Sequence, residues 1–267
     1  MTRLLAVLIA LATPVAAQER IPSHCLAFAE APGQVRQVAF REAHAPDTLR
    51  LSYLDHAMFL LQTPGGLSAV TDYNGYTGPA DFLPTLVTMN IAHGTHFTRF
   101  PDPAIEYVLE GWSRGGVAAD HHLDLGEMLI RNVPTDIRSG DGGVMRDGNS
   151  IFVFEAAGLC IGHMGHLHHE PTPEDYALIG RLDVVMIAVD GGLTLDLPTV
   201  LKVMQRLRAS VVIPMHWFGR GTLERFVAGM EGEFAVERSD ASEVVLSRDA
   251  LPSRPTVLVL TPRLLAE

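Results

Sequence analysis

Pro84-Thr85-Leu86-Val87-Thr88-Met89-Asn90-Ile91-Ala92-His93-Gly94-Thr95-His96-Phe97 passes from a short apolar run into a loop carrying two imidazoles. Residues 84–88 have the length and apolar character of a buried strand, and the polar Asn90 marks its end. Strand ends suit ligands, because the sheet fixes the backbone while the loop turns side chains toward one shared edge. The pattern recurs twice. An apolar run at 159–162 gives way to His163-Met164-Gly165-His166-Leu167-His168-His169, and one at 211–214 gives way to Met215-His216. A lone histidine after a strand is ordinarily satisfied by a backbone carbonyl. Four imidazoles within seven residues are costly to bury without partners, and such clusters bind transition metals through neutral rings. His168 and His169, beside Glu170, read as a solvated loop and rank below His163 and His166.

Outward from these loops, 48–54, 57–62 and 67–71 read as consecutive antiparallel strands, with Pro64-Gly65-Gly66 supplying a turn. Further strands are expected at 105–109, 127–133, 150–155 and 159–162, the last two joined through Ala156-Ala157-Gly158. Thr172-Pro173-Glu174 opens a helix ending near Gly180, because it offers an N-cap, a first-turn proline and an acidic residue. A near-continuous apolar run at 183–189, helical periodicity at 197–208 and a strand at 211–214 complete an alternation that argues for layered α/β architecture. Nothing in the sequence splits off a second domain. The expected organisation is a signal peptide at 1–17, a lead-in at 18–47 and one domain at 48–267.

The signal peptide is read from Arg3, the apolar run 4–12 and the small residues Val15-Ala16-Ala17. The run is shorter than the ~20 residues a spanning helix needs, so no integral membrane segment is expected after cleavage. The protein is therefore expected in the periplasm or outside the cell. Two cysteines are present, Cys25 and Cys160. Cys160, in an apolar strand, reads as an inert buried thiol rather than half of a bridge. A net charge of -11 makes nucleic acid a poor default partner.

The order and spacing of several segments resemble the metallo-β-lactamase superfamily, in its ascorbate-phosphate-lactonase-like branch. They are Tyr53-Leu54-Asp55-His56-Ala57-Met58-Phe59-Leu60, Val70-Thr71-Asp72, the loop ending in His93-Gly94-Thr95-His96, Gly162-His163-Met164-Gly165-His166, and Ile213-Pro214-Met215-His216. The resemblance implies a four-layer αβ/βα sandwich with one or two metal ions at the sheet edge. It also implies hydrolysis of a lactone, ester or phosphoester, and with it a small-molecule substrate as the expected partner. The family signature His-x-His-x-Asp-His falls on Ile91, His93, Thr95 and His96, so two of its four positions lack a ligand. A later His-x-Gly-Asp becomes His163-Met164-Gly165-His166, with His166 in the carboxylate's place. A further family histidine is expected near 133–138, where Asp136 is the nearest candidate.

This altered set cannot supply the usual two-metal centre. The metal ligands expected are His93, His96, His166 and His216, with His96, His166 and His216 holding one ion and leaving a position for water. Zinc is the expected ion, manganese or iron the alternatives. Asp136, His163 and Asp190 are the candidate acid, base or orienting groups. His56 and Asp72 read as structural supports of the sheet edge, and Tyr73-Asn74-Gly75-Tyr76 as a loop near the mouth. The opposing reading is a non-catalytic member of the fold, because Ile91 and Thr95 remove family ligands.

Overall fold

A computed structural model describes residues 23–26 and 43–266; the expected signal peptide and most of the lead-in lie outside the described residues. Strands β1 (Thr48–Asp55), β2 (Met58–Gln62) and β3 (Ser68–Val70) pair antiparallel, and β4 (Leu86–Met89) and β5 (Tyr107–Glu110) extend the sheet in parallel. The chain then builds a second sheet from β6 (His122–Asp124), β7 (Met128–Arg138), β8 (Val144–Ala156) and β9 (Leu159–His163), an antiparallel meander. Helix α1 (Pro173–Ile179) leads to β10 (Val184–Ala188), α2 (Leu197–Leu207) to β11 (Val211–Met215), and α3 (Arg220–Met230) to β12 (Ala235–Arg238). β13 (Glu243–Ser247) crosses back to pair with β1, and β14 (Thr256–Val259) inserts between β11 and β12. The sheets run β13-β1-β2-β3-β4-β5 and β12-β14-β11-β10-β9-β8-β7-β6. This is the expected α/β sandwich.

Local chemistry explains the elements. Thr172 and Asp175 form a reciprocal capping box at the start of α1, and the Asp196 carboxylate caps α2 at the Thr199 N–H. β10 and β11 are buried at every residue, as strands covered on both faces of a parallel sheet must be. Leu51, Phe59, Phe152, Phe154, Ile161, Met186 and Ile213 fill the space between the sheets. The helices cover the far side of the second sheet through Val200, Val203, Met204, Phe226 and Val227. Loops and C-terminal residues cover the far side of the first, where Tyr73, Ala80, Ile105 and Leu265 pack on Leu60, Val70 and Val87. Among the described residues no helix is long and apolar enough to cross a membrane.

The expectation for the cysteines is corrected. Cys25 and Cys160 are joined in a disulfide across 135 residues of sequence. Sequence alone could not pair them, because what brings them together is docking of 23–26 on the second sheet. There Arg181 N–H donates to the Cys25 carbonyl at 2.9 Å, and Glu155 accepts from Ser23 Oγ and from the His24 N–H. Glu155 also holds Arg131 at 2.9 Å, so one buried carboxylate ties the segment to β7 and β8. Cys25→Ser/Cys160→Ser is expected to lose about 2–4 kcal/mol of unfolding free energy, the usual range for a bridge closing a long loop. Urea denaturation of the oxidised parent and the variant measures it.

Candidate metal centre

The loops after β3, β4, β9, β10 and β11, and the turn between β1 and β2, meet at one edge of the sandwich. His96 and His216 are fully buried there, and their Nε2 atoms face each other at 3.0 Å. A carboxylate stands behind each ring: Asp72 Oδ2 lies 2.5 Å from His96 Nδ1, and Asp190 Oδ2 lies 2.9 Å from His216 Nδ1. The second contact is an ion-pair approach rather than an aligned hydrogen bond, and the first is the firmer anchor. Both carboxylates draw the ring proton to Nδ1, which leaves a lone pair on each Nε2 pointing inward. Two lone pairs at this distance repel. A shared proton would relieve them only by creating a buried imidazolium, whereas burial and the neighbouring His216 and His93 hold His96 well below its ordinary pKa. A metal cation fits instead: two nitrogens at 2.0–2.1 Å from one tetrahedral ion stand about 3.3 Å apart.

The carboxylates are themselves fixed. Asp72 receives Asn90 Nδ2–H at 2.9 Å, and Asn90 in turn accepts the Ser150 N–H at 2.8 Å. Burial raises Asp72 to about 6, against the pull of His163 and the Asn90 hydrogen bond. Asp190 accepts the Gly192, Leu193 and Thr194 N–H groups and the Thr194 hydroxyl. Burial alone would raise its pKa, but the close approach of the His216 ring and the hydrogen bonds from Thr194 hold it far below the usual carboxylate range.

His93 and His166 stand beside this pair, with Nε2 atoms 3.2 Å apart. The structure thus brings together all four residues expected as ligands. Their tautomers differ, however. The Arg138 N–H donates to His168 Nδ1 at 2.7 Å, so a neutral His168 carries its proton on Nε2 and donates it to His166 Nδ1 at 2.6 Å. A neutral His166 then carries its own proton on Nε2, facing His93. His93 accepts it and places its Nδ1–H on Thr95 Oγ1 at 2.9 Å. In this chain His166 is a donor, and ligation through Nε2 would require breaking the Arg138–His168 bond. Burial, together with the charges of His96 and His216, pushes His166 far down, and burial and Arg138 lower His168 to about 4, so both rings are neutral at neutral pH.

Two candidate chemical residues are placed away from the open side. His163 is fully buried with both nitrogens engaged: Nδ1 accepts the Gly165 N–H and Nε2–H donates to the Ala57 carbonyl at 2.8 Å. It braces the hairpin turn rather than meeting a substrate. Asp136 lies at a bulge in β7 and accepts Arg146 Nη1 at 2.7 Å and the Asp147 N–H at 2.9 Å. It lines a surface cleft with His169, Glu170 and Asp175, which no histidine of the cluster lines. Asp190 is in the site, but behind His216. The Tyr73 ring is buried, while Tyr76 is exposed and its loop abuts Thr98, just after His96.

Two residues went unrecognised as part of the site. His56 lies at the tip of the β1–β2 turn, and one ring nitrogen from each of His56, His93, His96 and His216 falls within 4.8 Å of the others. Phe218 is 65% exposed with its ring centroid 5.2 Å from that of His56, forming an apolar wall at the mouth. An aromatic two residues after the last strand-end histidine was the available sequence signal for Phe218.

The family model of the beta-lactamase superfamily domain matches residues 50–216, and the chain belongs to that family. A UPF0173 metal-dependent hydrolase from Methanosphaerula palustris is 25% identical over 213 residues, 74% of this chain and 96% of that protein. A metallo-beta-lactamase superfamily protein from Thermotoga maritima superposes with a TM-score of 0.58 at 23% identity, covering 79% of this chain and 98% of the other. The metallo-beta-lactamase fold protein YhfI from Bacillus subtilis superposes at 0.51 with 9% identity, covering 82% and 98%. These two structures show the shared fold.

The geometry gives two expectations. Asp72→Asn keeps the shape of the His96 partner but removes its charge, and is expected to weaken zinc binding roughly 10–100-fold, read by competition with a chromophoric chelator. Gly165 has φ +59°, and a Cβ there would stand 2.3 Å from Asn149 Oδ1 and 2.6 Å from Asn90 Nδ2. Gly165→Ala is accordingly expected to displace the His163–His168 loop and cost more than ~1 kcal/mol, since alanine is strained at positive φ; thermal denaturation checks it.

Proposed function

We propose that this chain is an exported metal-dependent hydrolase working with one ion at the histidine cluster, on an ester, lactone or phosphoester bond. The observation that carries the reading is the His96–His216 pair, two inward lone pairs each backed by a buried carboxylate. The name of the Methanosphaerula relative, a metal-dependent hydrolase, agrees with it. A bound divalent ion would supply an acidified water and Lewis-acid polarisation of a carbonyl or phosphoryl oxygen. Zinc suits an imidazole site, with manganese and iron less well matched to it.

The chain's own groups would do the rest. Asp72 and Asp190 hold His96 and His216 in the ligating tautomer. The His166 Nε2–H steadies His93 at the edge of the cluster, and Phe218 presents an apolar surface to the substrate. A single ion is favoured because Ile91 and Thr95 supply no strong ligand and Asp136 is held by Arg146. Export is supported by the N-terminal pattern at 1–17 and by the disulfide, which persists in oxidising compartments.

The lack of a carboxylate at Thr95, in a loop that otherwise keeps its histidines, favours a second reading in which the site binds a metal or ligand without turnover. Protein stripped with a chelator and reloaded with zinc is expected to take up one equivalent, lost in His216→Ala, and to hydrolyse a member of a lactone, ester and phosphoester panel. Absence of metal uptake overturns the proposal. Stoichiometric uptake without turnover selects the second reading.

A further inference from the structure

We infer that His56 binds the metal directly, completing a four-imidazole site with His93, His96 and His216 in place of the carboxylate lost at Thr95. The inference rests on the metal-binding reading above. Three observations carry it. First, His56 Nε2 is shut off from solvent and has no hydrogen-bond partner, an arrangement that leaves a buried ring nitrogen unsatisfied unless something binds it. Second, the ring is at the cluster: its centroid lies 3.9 Å from that of His216, 5.4 Å from His96 and 5.8 Å from His93.

Third, the backbone is built to hold it there. His56 has φ +43°, in the left-handed region that few non-glycine residues adopt, and its carbonyl accepts both the His216 N–H at 2.8 Å and the Tyr53 hydroxyl at 2.7 Å. The turn is thereby fastened directly to the last strand-end histidine. A sheet-edge support would gain nothing from aiming an unpartnered nitrogen inward. His166, by contrast, carries its proton on Nε2 and has no lone pair to give there, whereas His93, with its proton on Nδ1, keeps the Nε2 lone pair that a metal needs.

The probe is cobalt(II), whose d–d absorption reports the number and kind of ligands. Cobalt-loaded His56→Ala and His56→Gln are expected to show bands changed in position and intensity from the parent, while His169→Ala, on an exposed loop position, reproduces the parent spectrum. Zinc affinity should fall by more than the roughly 10–100-fold that loss of an outer-sphere partner costs. Because a variant could fail to fold, the same point is read in the intact protein: zinc addition to 15N-labelled parent is expected to move the His56 Nε2 resonance to the metal-bound range. A cobalt spectrum identical to the parent's, or a His56 Nε2 resonance that zinc leaves in place, overturns the inference while leaving the metal-dependent reading intact. A parent protein that binds neither ion removes both.

Discussion

Everything at the functional edge follows from the burial of imidazole lone pairs against one another. Neutral nitrogen acceptors cannot satisfy each other, and the protein interior offers no water to do it for them. The fold accepts this cost and reinforces it with the buried carboxylates Asp72 and Asp190, which fix the rings in the tautomer that makes the conflict worst. His56, Asp72 and His216 all sit at positive φ. Strain, unsatisfied acceptors and buried charge are thus concentrated in one place, a pattern found where a site is held ready for a ligand.

Much of the fold was legible because it is written in short-range chemistry. The strand at 159–162, the capped helix opened by Thr172-Pro173-Glu174 and the apolar runs of β10 and β11 all appear where composition and periodicity put them. What escaped has a physical reason in each case. Helix α3 begins at Gly219-Arg220-Gly221 with no side-chain cap, so the usual start signal is missing. Strand β7 runs on to Arg138 through a bulge at Asp136, and the bulge turns a residue placed near the metal toward Arg146 instead.

The site was legible at the level of residue type and only partly at the level of role. The strand-end pattern places His93, His96, His166 and His216 at one cluster. It does not reveal that the Arg138 N–H sets the tautomer of His168 and, through it, that of His166. Such a dependence passes through a backbone group thirty residues away, and side-chain spacing carries no trace of it. His56 and Asp72 were read as supports for the same reason: their partners, His216 and His96, come from other loops.

The Cys25–Cys160 bridge encloses β1 through β8 and part of β9 within one covalent loop. With two cysteines in the sequence, only one intramolecular pairing exists. Oxidative folding of this chain therefore has no mispaired monomer to rescue, and the competing product is a cross-link between chains. Yield on oxidation is governed by how soon the Ser23–Leu26 segment finds Glu155 and Arg181 compared with how often two unfolded chains collide. The docking contacts of a short N-terminal segment thereby become a determinant of whether the protein matures as single molecules.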